Sequence, residues 1–275
     1  MRRVVDSSKN HEHKLLRMAQ VHETATIHPE AIISRDVEID PYVTIGENVE
    51  IGKGTVIGPH VVLDGQTVIG KNNRIYHGAA LGVKSENRDE KGSLFVGDNN
   101  IIRENVTIQA GSEGQKTKIG NNNFIMAYCH VTENCRLGNN IIMSNAVNLG
   151  KNVVIEDQAQ IGGLSTLQDN VRVGRIAMVG GHSRINSDIP PYLLVDGHHN
   201  LRVKVNVIGL RRNGFKPWLR KEIKKIYKIV YRSGFSVEEA IEKIREEISD
   251  CESCTEIKEF IDFLENSSKG IVNCK

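Results

Sequence analysis

Two cysteines three apart, Cys251 and Cys254, and ten scattered histidines are the side chains whose types could bind a metal. Structural zinc takes four ligands, and this C-x-x-C has no second ligand pair beside it, so it reads as incidental thiols. A three-histidine zinc site on a repeat needs histidines one coil apart. His130 instead has Cys135 five residues on, and His60, His77 and His182 lie far away along the chain. No metal is expected. The five cysteines (Cys129, Cys135, Cys251, Cys254 and Cys274) form an odd, scattered set, the pattern of reduced thiols in a cytoplasmic setting.

The elements that would position such groups follow from a period of six. Aliphatic residues recur without a slip from Val21 and Ile27 through Ile75 to Leu81. The period resumes at Val96, Ile102 and Ile108, and again from Ile119 to Val179. Gly follows many of them, as in Ile45-Gly46, Ile51-Gly52, Ile161-Gly162 and Val173-Gly174. Helices need a spacing near 3.6 and exposed antiparallel strands a spacing of 2, so six fits neither. It fits a parallel β-helix in which each aliphatic points into a narrow prism and three hexapeptides close one triangular coil. The glycines are expected at the corners for backbone angles that a Cβ would resist.

Two polar interruptions, Val83 to Leu94 (VKSENRDEKGSL) and Ala110 to Lys118 (AGSEGQKTK), read as loops thrown out from coil corners, either tolerated insertions or flaps over a neighbouring site. The prolines of SDIPP are expected to end the coil pairing near Asp188. Beyond them, Pro217 opens a helix carrying Trp218, Leu219, Ile223, Ile226, Tyr227 and Val230 at helical spacing. Ser236 with Glu239 makes a capping box for a helix over Val237 to Ile248. A last helix carries Ile257, Phe260, Ile261 and Leu264. The chain thus divides into a mobile N-terminal arm at 1–20, an all-β left-handed parallel β-helix at 21–187 and a C-terminal α-helical domain at 188–275.

Composition sets further bounds. Hydrophobic residues at 39% and charged residues at 25% suit a globular protein. A formal charge of +2 gives no reason to expect nucleic acid, although Lys and Arg could hold a diphosphate. No membrane span is expected, and the first twenty residues lack the apolar stretch of a secretory signal.

The segments IRENVTI, VGGHSRINSDIPPYLLVDGHHN, NVIGLRRNGF and IYKIVYRSG resemble the LpxA family of hexapeptide-repeat acyltransferases: the UDP-N-acetylglucosamine O-acyltransferase of lipid A biosynthesis and its relatives that N-acylate nucleotide-linked amino sugars. The resemblance spans about residues 24 to 270. It implies a homotrimer with sites in the clefts between subunits, and no bound cofactor. Acyl-CoA or acyl carrier protein would be the acyl donor and a nucleotide sugar the acceptor. It places the catalytic region on MAYCHVTENC, where the family's first histidine is His130 and its general base falls on Glu133. Further family histidines fall on Asn152, Gln168 and Gln109. Asn206, Arg211 and Arg212 match nucleotide contacts, while the family's acidic residue between them has become Ile208. Asp169 matches a neighbour of the acyl groove, and Gly181, His198 and His199 fall along it.

These departures bear on the chemistry. A hydroxyl is a poor nucleophile until a base takes its proton, help worth roughly 10²–10⁴-fold. A sugar amine that titrates near the α-amino value of about 8 is already partly neutral at pH 7. The expectation is therefore acyl-CoA-dependent N-acylation of a dTDP- or UDP-linked amino sugar, with Glu133 orienting the amine and His130 or Asn152 holding the sugar or polarising the thioester. The alternative is 3-O-acylation of UDP-N-acetylglucosamine from acyl carrier protein, with Glu133 as the base. A zinc hydratase on the same β-helix lacks its histidines, and an inactive homologue is a further alternative. The competing structural readings are polar ladders between coils for His130, Glu133, Asn152 and Gln168, and solvated charges for Arg211 and Arg212.

Overall fold

The computed structural model of the chain describes residues 19–83, 92–112, 114–198, 200–248 and 254–273. Residues 1–18 of the expected arm, most of the first interruption, His199 and Cys251 lie outside them. Each hexapeptide forms a short strand that pairs in parallel with the strand one coil on, as Phe124 with Ile142, Ile142 with Gln160 and Gln160 with Met178. Three sheets of eleven, nine and eight strands result, called here first, second and third in the order the chain visits them. Together they form the left-handed β-helix that the repeat predicts.

Two residues of each hexapeptide face inward, and the prism is narrow enough to demand that they differ in size. The periodic aliphatics, among them Ile125, Val131, Leu137, Met143, Leu149 and Ile155, are buried. Two positions earlier stands a smaller residue, such as Val43, Ala79, Val106, Val147 or Ala159, also buried. Cys129 and Cys135 occupy this second position as small hydrophobes, each donating its thiol to a carbonyl of the next coil, Ser144 and Gly150, at 3.1 Å. Burial pushes both thiols up to about 11, so they stay protonated.

Elsewhere the small inward residue is polar and joins a ladder. Asn73 Nδ2 donates to the Gly97 carbonyl at 2.8 Å and its Oδ1 accepts from the Asn100 N–H at 2.8 Å. Asn100 repeats this with Gly120 and Asn123, and Asn123 with Gly138 and Ile141. Backbone groups that would be orphaned at the corner are satisfied inside the prism.

The glycines serve a different purpose from the one expected. Gly46, Gly52, Gly162 and Gly174 do not have positive φ. The left-handed conformation falls two residues after Gly52, Gly162 and Gly174, on Gly54, Leu164 and Ile176, and after Gly70, Gly120, Gly138 and Gly150 on Asn72, Asn122, Asn140 and Asn152. What the glycines provide is room, since a Cβ on Gly120 would lie 2.3 Å from the Gly138 carbonyl oxygen of the next coil. The second interruption also differs from a thrown-out loop. Lys116–Ile119 is a strand of the third sheet, and Ala110 and Ser112 are buried.

Coil pairing continues past Asp188. The Ile189 N–H donates to the Arg172 carbonyl at 2.8 Å, and Leu193–Asp196 adds to the first sheet before turning back on Arg202–Val205. The prolines sit in the turn between, where no N–H is needed. Four helices follow: α1 (Val207–Arg212), α2 (Pro217–Arg232), α3 (Val237–Glu247) and α4 (Thr255–Glu265). The capping box at Ser236 is present, with Ser236 Oγ accepting from the Glu239 N–H at 3.2 Å and the Glu239 carboxylate accepting from the Ser236 N–H at 2.8 Å. Leu219, Ile223 and Ile226 are buried, whereas Trp218 is exposed. Tyr192 is fully buried, donates its hydroxyl to Glu259 and so ties α4 to the last coil; Arg175 joins the same carboxylate at 3.0 Å.

The polar ladder gives a direct test of the packing. Asn100→Ala strands the buried Asn123 N–H and the Gly120 carbonyl, at a cost of about 1–3 kcal/mol for each orphaned group. The denaturation midpoint should fall accordingly, and an unchanged midpoint would show that the ladder contributes nothing.

Candidate active site

The in-register stacking turns the sequence of each coil into columns on the outside of the prism. Along the second sheet Thr107, His130, Asn148, Thr166 and Arg184 stand one above another. The Thr107 hydroxyl is hydrogen-bonded to His130 Nδ1, and burial lowers the His130 pKa, which keeps the ring neutral at pH 7.

Just beyond this column the chain turns from the second sheet to the third, and the turns of successive coils carry Glu133, Lys151 and Asp169 at equivalent positions. Glu133 is 5% exposed, buried more deeply than a carboxylate tolerates without a partner. Lys151 Nζ lies 2.8 Å from Glu133 Oε1. The Lys151 N–H donates to Asp169 Oδ1 at 2.9 Å, and Lys269 Nζ donates to the Asp169 carbonyl. Charges therefore alternate along this edge. The second interruption closes over one end of it, where the Ser112 N–H donates to Asn134 Oδ1 at 2.9 Å and Asn134 Nδ2 donates to Ser112 Oγ at 3.1 Å.

Six of the residues singled out from the sequence share this edge: Gln109, His130, Glu133, Asn152, Gln168 and Asp169. Within it their surroundings differ. Asn152 takes the left-handed corner conformation, and its Nδ2 donates to Asn170 Oδ1 at 3.0 Å, the inter-coil ladder that was the structural alternative. Gln168 is half-buried and Asp169 exposed.

The remaining candidates sit elsewhere. Asn206 Nδ2 donates to the Ile176 carbonyl at 2.8 Å and its Oδ1 accepts from the Gly209 N–H at 2.9 Å, so its buried side chain caps α1 and anchors it at the edge between the third and first sheets. Arg211, Arg212 and Ile208 project into solvent from that helix. Gly181 lies on the edge between the first and second sheets, with His198 beside it, because the Gly197 N–H donates to Ser183 Oγ at 3.1 Å. The three groups of candidate residues thus fall on three different edges of one prism, and a single chain does not bring them together.

Lys151 was not picked out from the sequence, although a signal was there: counting three hexapeptides from Glu133 reaches Lys151, and three more reach Asp169. Among the described residues no group of three His, Cys, Asp or Glu is placed to hold a metal, and no helix is long and apolar enough to cross a membrane.

A stack of hexapeptide coils with a polar column at one edge and helices closing the end defines a transferase of the hexapeptide-repeat class. Residues 30–65 and 116–151 match the family model for bacterial transferase hexapeptide repeats, and residues 188–272 match that for the second domain of UDP-N-acetylglucosamine O-acyltransferase. The acyl-[acyl-carrier-protein]–UDP-N-acetylglucosamine O-acyltransferase of Halorhodospira halophila is 41% identical over 93% of this chain and 100% of its own length. That of Syntrophobacter fumaroxidans is 38% identical over 92% and 99%. The solved structure of LpxA from Acinetobacter baumannii superposes with a TM-score of 0.88 at 35% identity, covering 92% of this chain and 99% of its own. The chain belongs to the LpxA family of hexapeptide-repeat acyltransferases. These relatives lend no support to the expected amine acceptor and coenzyme A donor, since their names specify O-acylation from acyl carrier protein.

The environment of His130 sets an expectation for its charge. Its ring protons, followed by NMR, should titrate below the ordinary histidine value of about 6.5. Titration above that value would mean a charged ring at neutral pH, contrary to its burial.

Proposed function

We propose that the chain transfers an acyl group from acyl carrier protein to the 3-hydroxyl of UDP-N-acetylglucosamine, with Glu133 as the proton acceptor in place of histidine. The observation that carries this reading is the buried Glu133 carboxylate, held at the polar edge next to a neutral His130 in a chain whose full-length relatives are named for this reaction. A carboxylate within reach of the hydroxyl takes its proton as the oxygen attacks the thioester. The neutral imidazole of His130 donates to the oxygen of the thioester carbonyl as charge develops there.

The other candidates take roles consistent with their positions. Gln109, Asn152, Gln168 and Asp169 line the edge on either side of Glu133 and hold the sugar. Arg211 and Arg212 project guanidinium forks suited to a diphosphate. Asn206 acts through the helix it caps. Gly181 and His198 border the acyl chain. Because these groups occupy three edges of one prism, the site closes only when a neighbouring copy presents its own edge, which supports a homotrimer with shared sites.

The test is turnover of acyl carrier protein thioesters of several chain lengths with UDP-N-acetylglucosamine, scored by release of the carrier thiol and by mass of the product. An O-acylated nucleotide sugar should form, and Glu133→Gln should lose about 10²-fold or more in kcat. Turnover confined to 3-amino or 4-amino sugar nucleotides, with activity kept in Glu133→Gln, would reject the hydroxyl reading and favour the amine.

A further inference from the structure

Among the ion pairs of the described residues, the one between Lys151 and Glu133 has the least exposed acid: the Glu133 side chain is 7% exposed, while the next, Glu104, is at 19%. Exposed pairs contribute little, but a carboxylate removed from water keeps its charge only if a cation or several hydrogen bonds hold it. Beside Lys151, the described residues around Glu133 include further titratable groups. On its own turn, His130 is kept neutral by burial and the Cys135 thiol is pushed up to about 11. The preceding coil contributes Gln109 and Ser112, which do not titrate. Asp169, two coils on, adds negative charge, and Lys269 reaches its carbonyl.

Lys151 is also fixed in place. Its N–H is held by Asp169 Oδ1, and the Asn152 N–H next to it donates to the Glu133 carbonyl at 3.1 Å. Both peptide groups flanking its side chain are therefore tied to neighbouring coils, so the ammonium reaches Glu133 from a set point. The Lys151 side chain is itself 56% exposed, so its ammonium stays hydrated while it neutralises a buried anion.

We propose that Lys151 is a positioning residue of the acyl-transfer site: from the adjacent coil it holds the Glu133 carboxylate ionised and oriented to take the acceptor's proton. The inference rests on the function proposed above. In the step it serves, the acceptor oxygen bonds to the thioester carbonyl carbon as its proton passes to Glu133. The tetrahedral oxyanion then collapses, the C–S bond breaks, and the proton on Glu133 passes to the departing thiolate. Lys151 keeps its own proton throughout.

The experiment compares pH profiles of kcat/KM for the wild type, Lys151→Met and Lys151→Arg, using acyl carrier protein thioester and UDP-N-acetylglucosamine. Loss of a neighbouring cation should move the acid limb of Lys151→Met up by about 1–3 pH units, with KM little changed and the rate recovered at high pH. Lys151→Arg should restore the wild-type limb, and Lys151→Met should add no further loss in a Glu133→Gln background. An acid limb that stays in place in Lys151→Met would overturn the inference. A wild type inactive on this substrate pair would instead count against the proposed function. In that event the carboxyl carbon of Glu133, assigned by its absence in Glu133→Gln and titrated by ¹³C NMR, still separates the two. Equal titration in wild type and Lys151→Met overturns the role of Lys151. A higher value in Lys151→Met supports it as the holder of the charge.

Discussion

The backbone pairing of each coil with the next, in register apart from a shift at Leu81–Val83, is the constraint on which the rest of the structure depends. It gives every outward side chain a neighbour one coil above and another below, and it confines the inward ones to a narrow prism. The inside must then alternate a long aliphatic with a smaller residue, which is why Cys129 and Cys135 are core residues and why Asn73, Asn100 and Asn123 can ladder through it. On the outside the same register converts sequence spacing into columns, and the column of Glu133, Lys151 and Asp169 follows from nothing more.

A prism with three edges also distributes function. The polar edge with Glu133, the edge where Asn206 anchors α1 and the edge with Gly181 are separated by whole sheets within one chain. A rigid solenoid cannot bend to bring them together, so under the proposed function a site that uses all three is shared between copies. The helical domain contributes to the same arrangement. Tyr192 and Arg175 clamp Glu259 of α4 to the last coil, and Asn206 separately ties the start of α1 to the Ile176 carbonyl.

The period of six made the fold legible in the sequence, because an unbroken aliphatic repeat has few physical explanations. Other features were hidden for identifiable reasons. The role of the glycines is ambiguous in the sequence because close approach between coils and left-handed φ both favour Gly, and here the second falls two residues later, often on Asn but also on Leu164 and Ile176. The pairing beyond Asp188 was missed because Pro190 and Pro191 turn out to occupy the turn and not the ladder. That His130 and Glu133 share one polar edge follows from the repeat, since they flank the same turn between the second and third sheets. Lys151 was not picked out, because its partnership with Glu133 appears only when residues three hexapeptides apart are stacked. The lost histidines taken alone favour an amine acceptor, whereas the full-length relatives are named for O-acylation.

The central claim is that a buried carboxylate on one edge of the prism receives the proton of a hydroxyl acceptor. A crystal structure of the protein with UDP-N-acetylglucosamine bound addresses it most directly. The account predicts the sugar 3-hydroxyl within about 2.6–3.2 Å of the Glu133 carboxylate, the range for direct proton transfer, with the diphosphate on Arg211 or Arg212 of a neighbouring copy. A sugar bound with its 3-hydroxyl turned away from Glu133, or a nucleotide seated on an edge remote from it, would contradict the account.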